Sequence, residues 1–378
     1  MERLLYTLCW NLLVLIFVVT GCSSSTLPPS DPLEEKMPVL RVLIMENVTS
    51  CMVSFPSSFV FQSGNYQETG RGRVSLSIES NYLVINGVFL QDSSCRFVTE
   101  GFRTRQGSYR GNLFVLLTNS QILLINEIDI ENYLYSVVPS EVSPEWPKEA
   151  LKAQAVAART YALYEMVNSR QKNLPFDVYA DTRSQVYKGD SAEHRSTSLA
   201  VDETRGEVIR YQGRIIPAYF HASSGGFTEN SEEVFGTLWP YLRSVPSPYY
   251  KVYPQYEWKL EVPLSTLSKK LGMASIKQVE VVERTPSQRL KLVQFTDEAG
   301  RILKVPGTNL RTMLGYTAMK STRANIRLEE EKLVIYGVGY GHGVGMAQWD
   351  AYGMALAGKS YREILGFFYI GTQIDRLW

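Results

Sequence analysis

The sequence predicts an α+β fold, because β-rich segments dominate the first third of the chain and an alanine-rich helix follows them. Short β-branched or aromatic runs recur up to residue 135, separated by turn dipeptides such as Asn86-Gly87. After Pro147, Ala, Leu, Lys and Gln predominate, which is typical of a helix. We expect a β-rich domain with this central helix and a helical C-terminal region, either as one elaborated domain or as two lobes around a cleft.

The first 22 residues have the features of a lipoprotein signal peptide. An uncharged run from Leu4 to Gly21 follows Arg3 and ends in small residues before Cys22. This pattern suits cleavage ahead of Cys22 and lipidation of its thiol. An uncleaved transmembrane helix is the alternative, because the run is near the minimum length that spans a bilayer. Both alternatives predict a chain exported across the inner membrane and anchored there, in the periplasm or its extracytoplasmic equivalent.

Residues 23–38 are rich in Ser and Pro and lack apolar periodicity, which predicts an extended tether. The folded domain is then expected over residues 39–376. Removal of the signal peptide and lipidation of Cys22 leave Cys51 and Cys95 in an oxidising compartment. They form either a disulfide or two separate buried thiols, because the sequence gives no distance between them.

Further β-rich segments follow the central helix. One covers residues 206–224, with Gln212-Gly213 at a hairpin turn. Others between about 255 and 330 predict an inserted lobe, and residues 348–368 have the composition of a closing helical region.

Charge and motif content exclude several functional classes. A formal net charge of +1 with 20% charged residues gives no reason to expect a nucleic-acid partner. The glycine alternation over residues 337–345 lacks the dinucleotide spacing, and neither a nucleophile elbow nor a zinc motif occurs. We therefore predict neither a cofactor nor a metal.

The candidate catalytic residue is Glu141, which lies between Pro139 and Pro144. We predict a strand over residues 130–138, so this acid would stand in a loop ahead of the helix. A single carboxylic acid whose pKa is raised by burial can serve as a general acid and base. A surface or helix-capping acid is the alternative interpretation of the same pattern.

Other polar residues are candidates for the same site. Lys152 and Arg159 share one stripe of the predicted helix, although a solvated charged edge gives the same spacing. Two of the three histidines stand in Gly- or Ser-rich loops, which let a backbone pass close to a ligand or to another strand. The alternative for each histidine is a structural role. The candidates in these loops are His221, Ser223, Ser224, His342 and Gln348.

Five sequence segments, taken in order along the chain, together resemble the SpoIID/LytB family, which is the family of stage II sporulation protein D and of the amidase enhancers. They include VVPSEVSPEWPKEALKAQAVAARTYAL from residue 137, FHASSGGFTENSEEVFG from 220 and GYGHGVGMAQWDAYGMALAGKSYREILGFFYIGT from 339. The shorter ones are DTRSQVYKG from 181 and YLRSV from 241. The resemblance extends over roughly residues 39–376.

The resemblance implies a wall-remodelling lytic transglycosylase that acts on peptidoglycan glycan strands in sporulation or cell division. Glu141 matches the family's catalytic acid, and the other candidates match motif positions expected to line the same cleft. The implied partners are glycan strands, a cell-wall amidase and other membrane-anchored wall-remodelling proteins. Two alternatives stay open: a non-catalytic glycan-binding enhancer of an amidase, and a purely structural partner in a membrane complex.

One segment departs from the family pattern. In some relatives the segment equivalent to residues 181–189 carries a Cys and a His of a zinc site, whereas here it begins Asp181-Thr182-Arg183-Ser184-Gln185. We therefore predict that this chain holds no structural zinc.

Overall fold

The computed structural model describes residues 37–378, so the predicted signal peptide, Cys22 and nearly all of the predicted tether lie outside the described residues. Within the described range the chain forms 22 strands in five sheets and 8 α-helices, which confirms a mixed α+β fold. No helix of this range combines the length and the apolar character that crossing a bilayer requires.

The first part of the chain is almost entirely β-structure. Ten consecutive strands form most of an 11-stranded sheet, and the eleventh, β11 (Val178–Tyr179), pairs in parallel with the first. The ten are β1 (Val39–Val48), β2 (Ser50–Ser63), β3 (Tyr66–Glu79), β4 (Tyr82–Ile85), β5 (Val88–Phe89), β6 (Ser94–Val98), β7 (Gly101–Arg103), β8 (Ser108–Arg110), β9 (Asn112–Thr118) and β10 (Gln121–Asp129).

Strand order in this sheet is β11-β1-β10-β9-β6-β2-β3-β4-β5, with β7 beside β2 and β8 beside β7. The central strand β10 buries side chains on both faces: Ile122 and Leu124 belong to the main core, whereas Leu123 and Ile125 belong to a smaller cluster. A strand covered on both faces reads as a continuous apolar run, as the sequence of β10 does.

The predicted strand over residues 130–138 is wrong, because these residues form the helix α1 (Ile130–Glu141). Asp129 caps this helix by accepting a hydrogen bond from the Asn132 amide at 2.9 Å. Tyr133, Leu134 and Val137 are fully buried on one side of it. Burial of this face against the main core outweighs the strand-like composition of the segment.

Two further helices follow α1 along the chain. They are α2 (Lys148–Gln171), which begins directly after Pro147, and α3 (Arg195–Glu203). Alanines of α2 let neighbouring elements approach closely: Ala155, Ala158 and Ala162 pack in the main core, whereas Ala153 and Ala157 face a second core. The helix therefore lies between the large sheet and the C-terminal part of the chain.

Residues after α3 form three short strands, two of which pair with strands of the C-terminal segment. These are β12 (Glu207–Tyr211), β13 (Arg214–Ile215) and β14 (Phe220–His221), followed by the short helix α4 (Glu232–Phe235).

Residues 257–338 form two three-stranded sheets that share a separate apolar core, and they overlap the range of the predicted inserted lobe. The two ends of this segment lie together, because the Gly339 amide donates to the Tyr256 carbonyl at 2.7 Å. Its elements are β15 (Glu257–Pro263), α5 (Leu264–Leu271), β16 (Ile276–Arg284), β17 (Leu290–Asp297), β18 (Ile302–Pro306), α6 (Gly307–Leu314), β19 (Ala324–Leu328) and β20 (Lys332–Val338).

The C-terminal segment returns to the second core. It contains β21 (Met346–Ala347), α7 (Gln348–Leu356), α8 (Tyr361–Phe368) and β22 (Gln373–Arg376). Strand β22 pairs with β12, and β21 pairs in parallel with β14.

The thiols of Cys51 and Cys95 are both free, so a disulfide between them is not present. The register explains this result: Phe61 of β2 pairs with Phe97 of β6, which directs the Cys95 end of β6 toward the C-terminal end of β2. Cys51 lies near the opposite end of β2, where it pairs with Leu76. The alternative of two separate thiols applies, and burial raises the pKa of the Cys95 thiol to about 12.

Candidate active site

Glu141 is the last residue of α1, not a residue of an open loop. Pro139 lies inside this helix, and the Val142 amide still donates to the Val138 carbonyl at 3.1 Å. Pro147 immediately precedes the next helix. The two prolines restrict the backbone on both sides of the carboxylate, which holds it at the end of a packed helix.

The surroundings of the half-buried Glu141 carboxylate favour its protonated form. Burial raises the pKa of Glu141, and this effect exceeds the opposing effects of the Val186 amide, the Gln348 side chain and Lys188. The Val186 amide donates to Oε1 at 3.0 Å. A carboxyl group with a raised pKa keeps its proton closer to neutral pH, which a general acid requires.

A cavity of about 600 Å³ opens at Glu141. Three aromatic side chains meet in its wall: the ring centroids of Trp146 and Trp349 are 4.9 Å apart, and those of Trp146 and Tyr352 are 5.2 Å apart. Flat apolar rings beside a few polar groups suit a ligand with alternating apolar faces and polar edges, such as a sugar.

Gln348 begins α7 and lines the same cavity. Its Nε2 donates to Oε1 of the buried Gln154 at 3.3 Å, which orients the amide group. The structure therefore brings Gln348 beside Glu141, although more than two hundred residues separate them along the chain.

Two distant glycine-rich segments meet at this wall through the parallel pair β14 and β21. His221 pairs with Ala347, and the Trp349 amide donates to the Ala222 carbonyl at 3.0 Å. This pairing explains why Ala222 and Trp349 line one cavity.

His221 and His342 lie together behind this wall, with ring centroids 5.4 Å apart. Burial lowers the pKa of His221 well below its usual range, and burial together with the charge of Arg311 lowers the pKa of His342 to about 3. Both rings are therefore neutral at ordinary pH. His221 Nδ1 lies 3.1 Å from the Val344 carbonyl, and His342 Nδ1 accepts from the Val344 amide at 3.0 Å. Both rings hold the glycine-rich loop.

The two predicted serines are fully buried and do not line the cavity. The backbone of Ser223 exchanges hydrogen bonds with Tyr340 at 2.9 and 2.8 Å. Ser224 Oγ accepts from the Gly226 amide at 3.0 Å. These contacts hold the loop, and substrate binding by either serine stays a prediction.

Lys152 and Arg159 do not line the cavity either, and substrate binding by them stays a prediction. Lys152 makes an ion pair with Glu203 at 2.7 Å and lies 5.5 Å over the Tyr361 ring, away from the cavity. Arg159 is fully buried, and its Nη2 lies 2.7 Å from the Glu131 carboxylate. Their shared helical stripe faces α3 and the chain after it.

The segment over residues 181–189 contributes backbone to the site, because it contains the Val186 amide that binds Glu141. Asp181 is paired with Arg183 at 2.6 Å. Over residues 37–378 no group of three or more His, Cys, Asp or Glu side chains is placed to hold a metal ion. The absence of zinc stays a prediction.

Sequence reasoning missed the aromatic wall and a buried acid. Both tryptophans lie close to candidate site residues in the sequence. Trp146 lies in the Pro-Glu-Trp-Pro segment after Glu141, and Trp349 directly follows Gln348. Asp350 is buried on α7, where Oδ1 accepts from the Tyr249 amide at 3.0 Å. Burial raises the pKa of Asp350 to about 6.

Comparison with known proteins finds relatives of this chain. The family model described as "Stage II sporulation protein" matches residues 118–211, which contain Glu141 and α2. An uncharacterized protein of Brachyspira hyodysenteriae is 37% identical over 322 residues, which cover 83% of this chain and 87% of that protein.

Two relatives from Bacillus subtilis carry functional names. Stage II sporulation protein D is 32% identical over 267 residues, which cover 66% of this chain and 76% of that protein. A protein named "Amidase enhancer" is 31% identical over 293 residues, 64% of this chain, and the match spans only 40% of the relative. On these matches, the chain belongs to the stage II sporulation protein D family.

Proposed function

We propose that this protein is a peptidoglycan lytic transglycosylase that cleaves the β-1,4 bond between N-acetylmuramic acid and N-acetylglucosamine in strands stripped of stem peptides. The observation that carries the proposal is one carboxyl group, Glu141, whose pKa is raised by burial in a cavity with aromatic walls. Membership of a family involved in sporulation and wall remodelling supports the same substrate class.

Glu141 performs both proton transfers of this reaction. It first donates its proton to the glycosidic oxygen, so that the bond from C1 to this oxygen breaks and an oxocarbenium-like centre develops. The resulting carboxylate accepts hydrogen bonds from the Val186 amide and from Gln348, which stabilise its charge. It then removes the proton of the sugar's own C6 hydroxyl, whose oxygen bonds to C1 and closes a 1,6-anhydro ring. Glu141 is thereby protonated again, and no water is consumed.

The test is digestion of denuded glycan strands by wild type and Glu141→Gln, followed by mass spectrometry. We expect 1,6-anhydro ends from wild type and a loss of rate on the order of 10²–10⁴-fold in the variant. Glu145 lines the same cavity, so Glu145→Gln tests whether a second carboxylate takes part. Hydrolysis products, which are heavier than the 1,6-anhydro products by one water, would overturn the proposal. So would an undiminished rate of glycan cleavage by Glu141→Gln.

A non-catalytic role is the second candidate, because one relative is named an amidase enhancer. In that case the same cavity would bind glycan and a separate amidase would cut the wall. Release of glycan fragments by the purified chain alone, with no amidase present, excludes this candidate. Stimulation of an amidase by Glu141→Gln at the wild-type level would favour it.

We further propose that the mature chain is tethered to the extracytoplasmic face of the membrane through lipidated Cys22 and remodels the wall during sporulation or division. The support is the signal-like sequence that ends at Cys22. A Cys22→Ser variant should lose labelling by a fatty-acid analogue. Unchanged labelling would contradict this anchor.

A further inference from the structure

A second group of aromatic side chains lies beside His342: the ring centroids of Phe235 and Tyr219 are 5.4 and 6.0 Å from that of His342. We define the distal aromatic surface as Tyr161, Tyr219, Phe235 and Trp239. Its rings form one connected set: the centroids of Tyr219 and Phe235 are 4.4 Å apart, those of Tyr219 and Trp239 are 5.8 Å apart, and those of Tyr161 and Tyr219 are 5.9 Å apart.

These rings are partly open to solvent. Phe235 is 39% exposed, and Tyr161, Tyr219 and Trp239 are half-buried. Leu238, the residue before Trp239, is 62% exposed. An exposed apolar patch of this kind indicates a binding site.

Ring contacts link the distal aromatic surface to the wall of the site at Glu141: the ring centroids of Phe235 and His342 are 5.4 Å apart, and those of His342 and His221 are 5.4 Å apart. His221 directly precedes Ala222, which lines the cavity. Burial first, and then the nearby charges that include Glu165 and Glu141, raises the pKa of Tyr161, and the Ser184 hydroxyl bonds to the Tyr161 hydroxyl. Two residues after Ser184, the Val186 amide binds the Glu141 carboxylate. A short stretch of backbone, residues 184–186, therefore lies between the Tyr161 hydroxyl and the Glu141 carboxylate.

The chemistry of the surface fits a polysaccharide better than an apolar peptide. Tyr161 and Tyr219 carry hydroxyl groups, and Glu165 is close enough to contribute to the raised pKa of both after the effect of burial. Aromatic faces bordered by hydroxyl and carboxylate groups match a sugar, which has apolar ring faces and a rim of hydroxyl groups.

From this continuity and chemistry we propose that the distal aromatic surface binds sugar units of the glycan strand beyond the bond that is cleaved. The strand then lies across Glu141, with one part on the Trp146 and Trp349 wall and the other on Tyr219, Phe235 and Trp239. This inference rests on the proposed function for the identity of the strand. It predicts that the protein prefers long strands to short oligosaccharides and cuts within them.

Binding in the inactive Glu141→Gln background tests the surface separately from catalysis. We expect Phe235→Ala and Trp239→Ala each to weaken binding of long denuded strands about tenfold, since each removes one stacked ring. Binding of a disaccharide that fills only the cavity should not change. Tyr82→Ala is the matched control, because Tyr82 is an aromatic residue on β4 of the large sheet and is 49% exposed.

Equal binding of long strands by the Phe235, Trp239 and Tyr82 variants would overturn the inference. So would a Trp239→Ala variant that binds strands normally but no longer stimulates an amidase, since the surface would then dock a protein. A failure of wild type to form 1,6-anhydro ends bears on the proposed reaction alone, because the binding measurements do not depend on cleavage.

Discussion

Glu141 is surrounded by groups whose effects on its proton can be separated by mutation. Burial raises its pKa, whereas the Val186 amide, Gln348 and Lys188 lower it. Of these, only Lys188 acts through an exposed side chain that can be replaced without opening the core. The sequence could place an acid here, but the sign of its pKa shift depends on neighbours that folding supplies.

Lys188→Gln removes a positive charge near Glu141, so the pKa of Glu141 should rise further. The proposed first step needs protonated Glu141, and activity therefore falls as pH rises through this pKa. The alkaline limb of kcat/KM against pH should move to higher pH in Lys188→Gln and stay in place in Lys188→Arg. Equal profiles for the two variants would show that the charge of Lys188 does not act on Glu141.

Asp350 supplies a second pH-dependent effect, this time on stability. Its pKa is raised from the ordinary 3.8 to about 6 by burial, so the folded state binds this proton more tightly than the unfolded state does. The stabilisation that this proton gives the folded state is complete below about pH 4 and is lost as pH rises through about 6. The folded state thereby loses about 3 kcal/mol.

Asp350→Asn abolishes this titration. Relative to wild type, the free energy of unfolding of the variant should increase by up to about 3 kcal/mol between pH 4 and pH 8. Urea unfolding at both pH values measures the difference, and comparing the two cancels any pH-independent packing effect. A constant difference between the proteins would mean that Asp350 titrates normally.

At the scale of elements, composition predicted the strands before residue 130 but not α1. The β-branched and aromatic residues of α1 are typical of a strand. The cap at Asp129 and the packing of Tyr133 and Leu134 nevertheless favour a helix. The glycine alternation was interpreted more successfully. A Cβ on Gly341, whose φ is +119°, would lie 2.6 Å from Cβ of His221, which is the close backbone approach that the sequence predicts.

On one stripe of helix α2, Arg159 and Lys152 make ion pairs that differ in burial and therefore in their contribution to stability. Arg159 is buried with Glu131 at 2.7 Å and also donates to the Val201 and Glu207 carbonyls at 3.2 and 3.1 Å. Periodicity placed it correctly on a face with Lys152. It could not show that this face turns toward buried partners instead of a cleft, because those partners come from distant parts of the chain.

Arg159→Ala should lower the free energy of unfolding by about 3–5 kcal/mol, since it leaves Glu131 charged and buried. Lys152→Ala should cost less than about 1 kcal/mol and leave kcat/KM unchanged, because its ion pair is partly exposed and lies outside the cavity. Denaturant unfolding and glycan digestion measure both quantities. A large loss of activity in a fully folded Lys152→Ala protein would instead support the prediction that Lys152 binds substrate.

At the scale of the whole molecule, the site depends on contacts between segments that the sequence keeps far apart. Ala222 and Gln348 meet only because β14 and β21 pair in parallel. The sequence indicated which blocks matter through resemblance, but it could not show which residues of each block face the cavity. That distinction follows from strand alternation and from the packing of the neighbouring segment over residues 257–338.

Arg289 connects this segment to the site. It is buried, its Nη2 donates to the Ser224 carbonyl at 2.7 Å, and its Nε lies 3.9 Å from the Glu229 carboxylate. A Cβ on Gly343, whose φ is +92°, would lie 2.5 Å from Arg289, so the glycine-rich loop packs directly on the guanidinium. The segment over residues 257–338 therefore supports both loops behind the cavity wall.

Arg289→Ala should lower the free energy of unfolding by about 3–5 kcal/mol, because Glu229 stays buried without its cation and the Ser224 carbonyl loses its donor. It should also lower kcat/KM at temperatures where the variant is folded, although Arg289 does not line the cavity. Lys291→Ala is the matched control, since Lys291 lies two residues away and its ion pair with Glu283 is exposed. If Arg289→Ala and Lys291→Ala have the same stability and activity, the loops are held without the guanidinium, and the segment over residues 257–338 does not support the site through this contact.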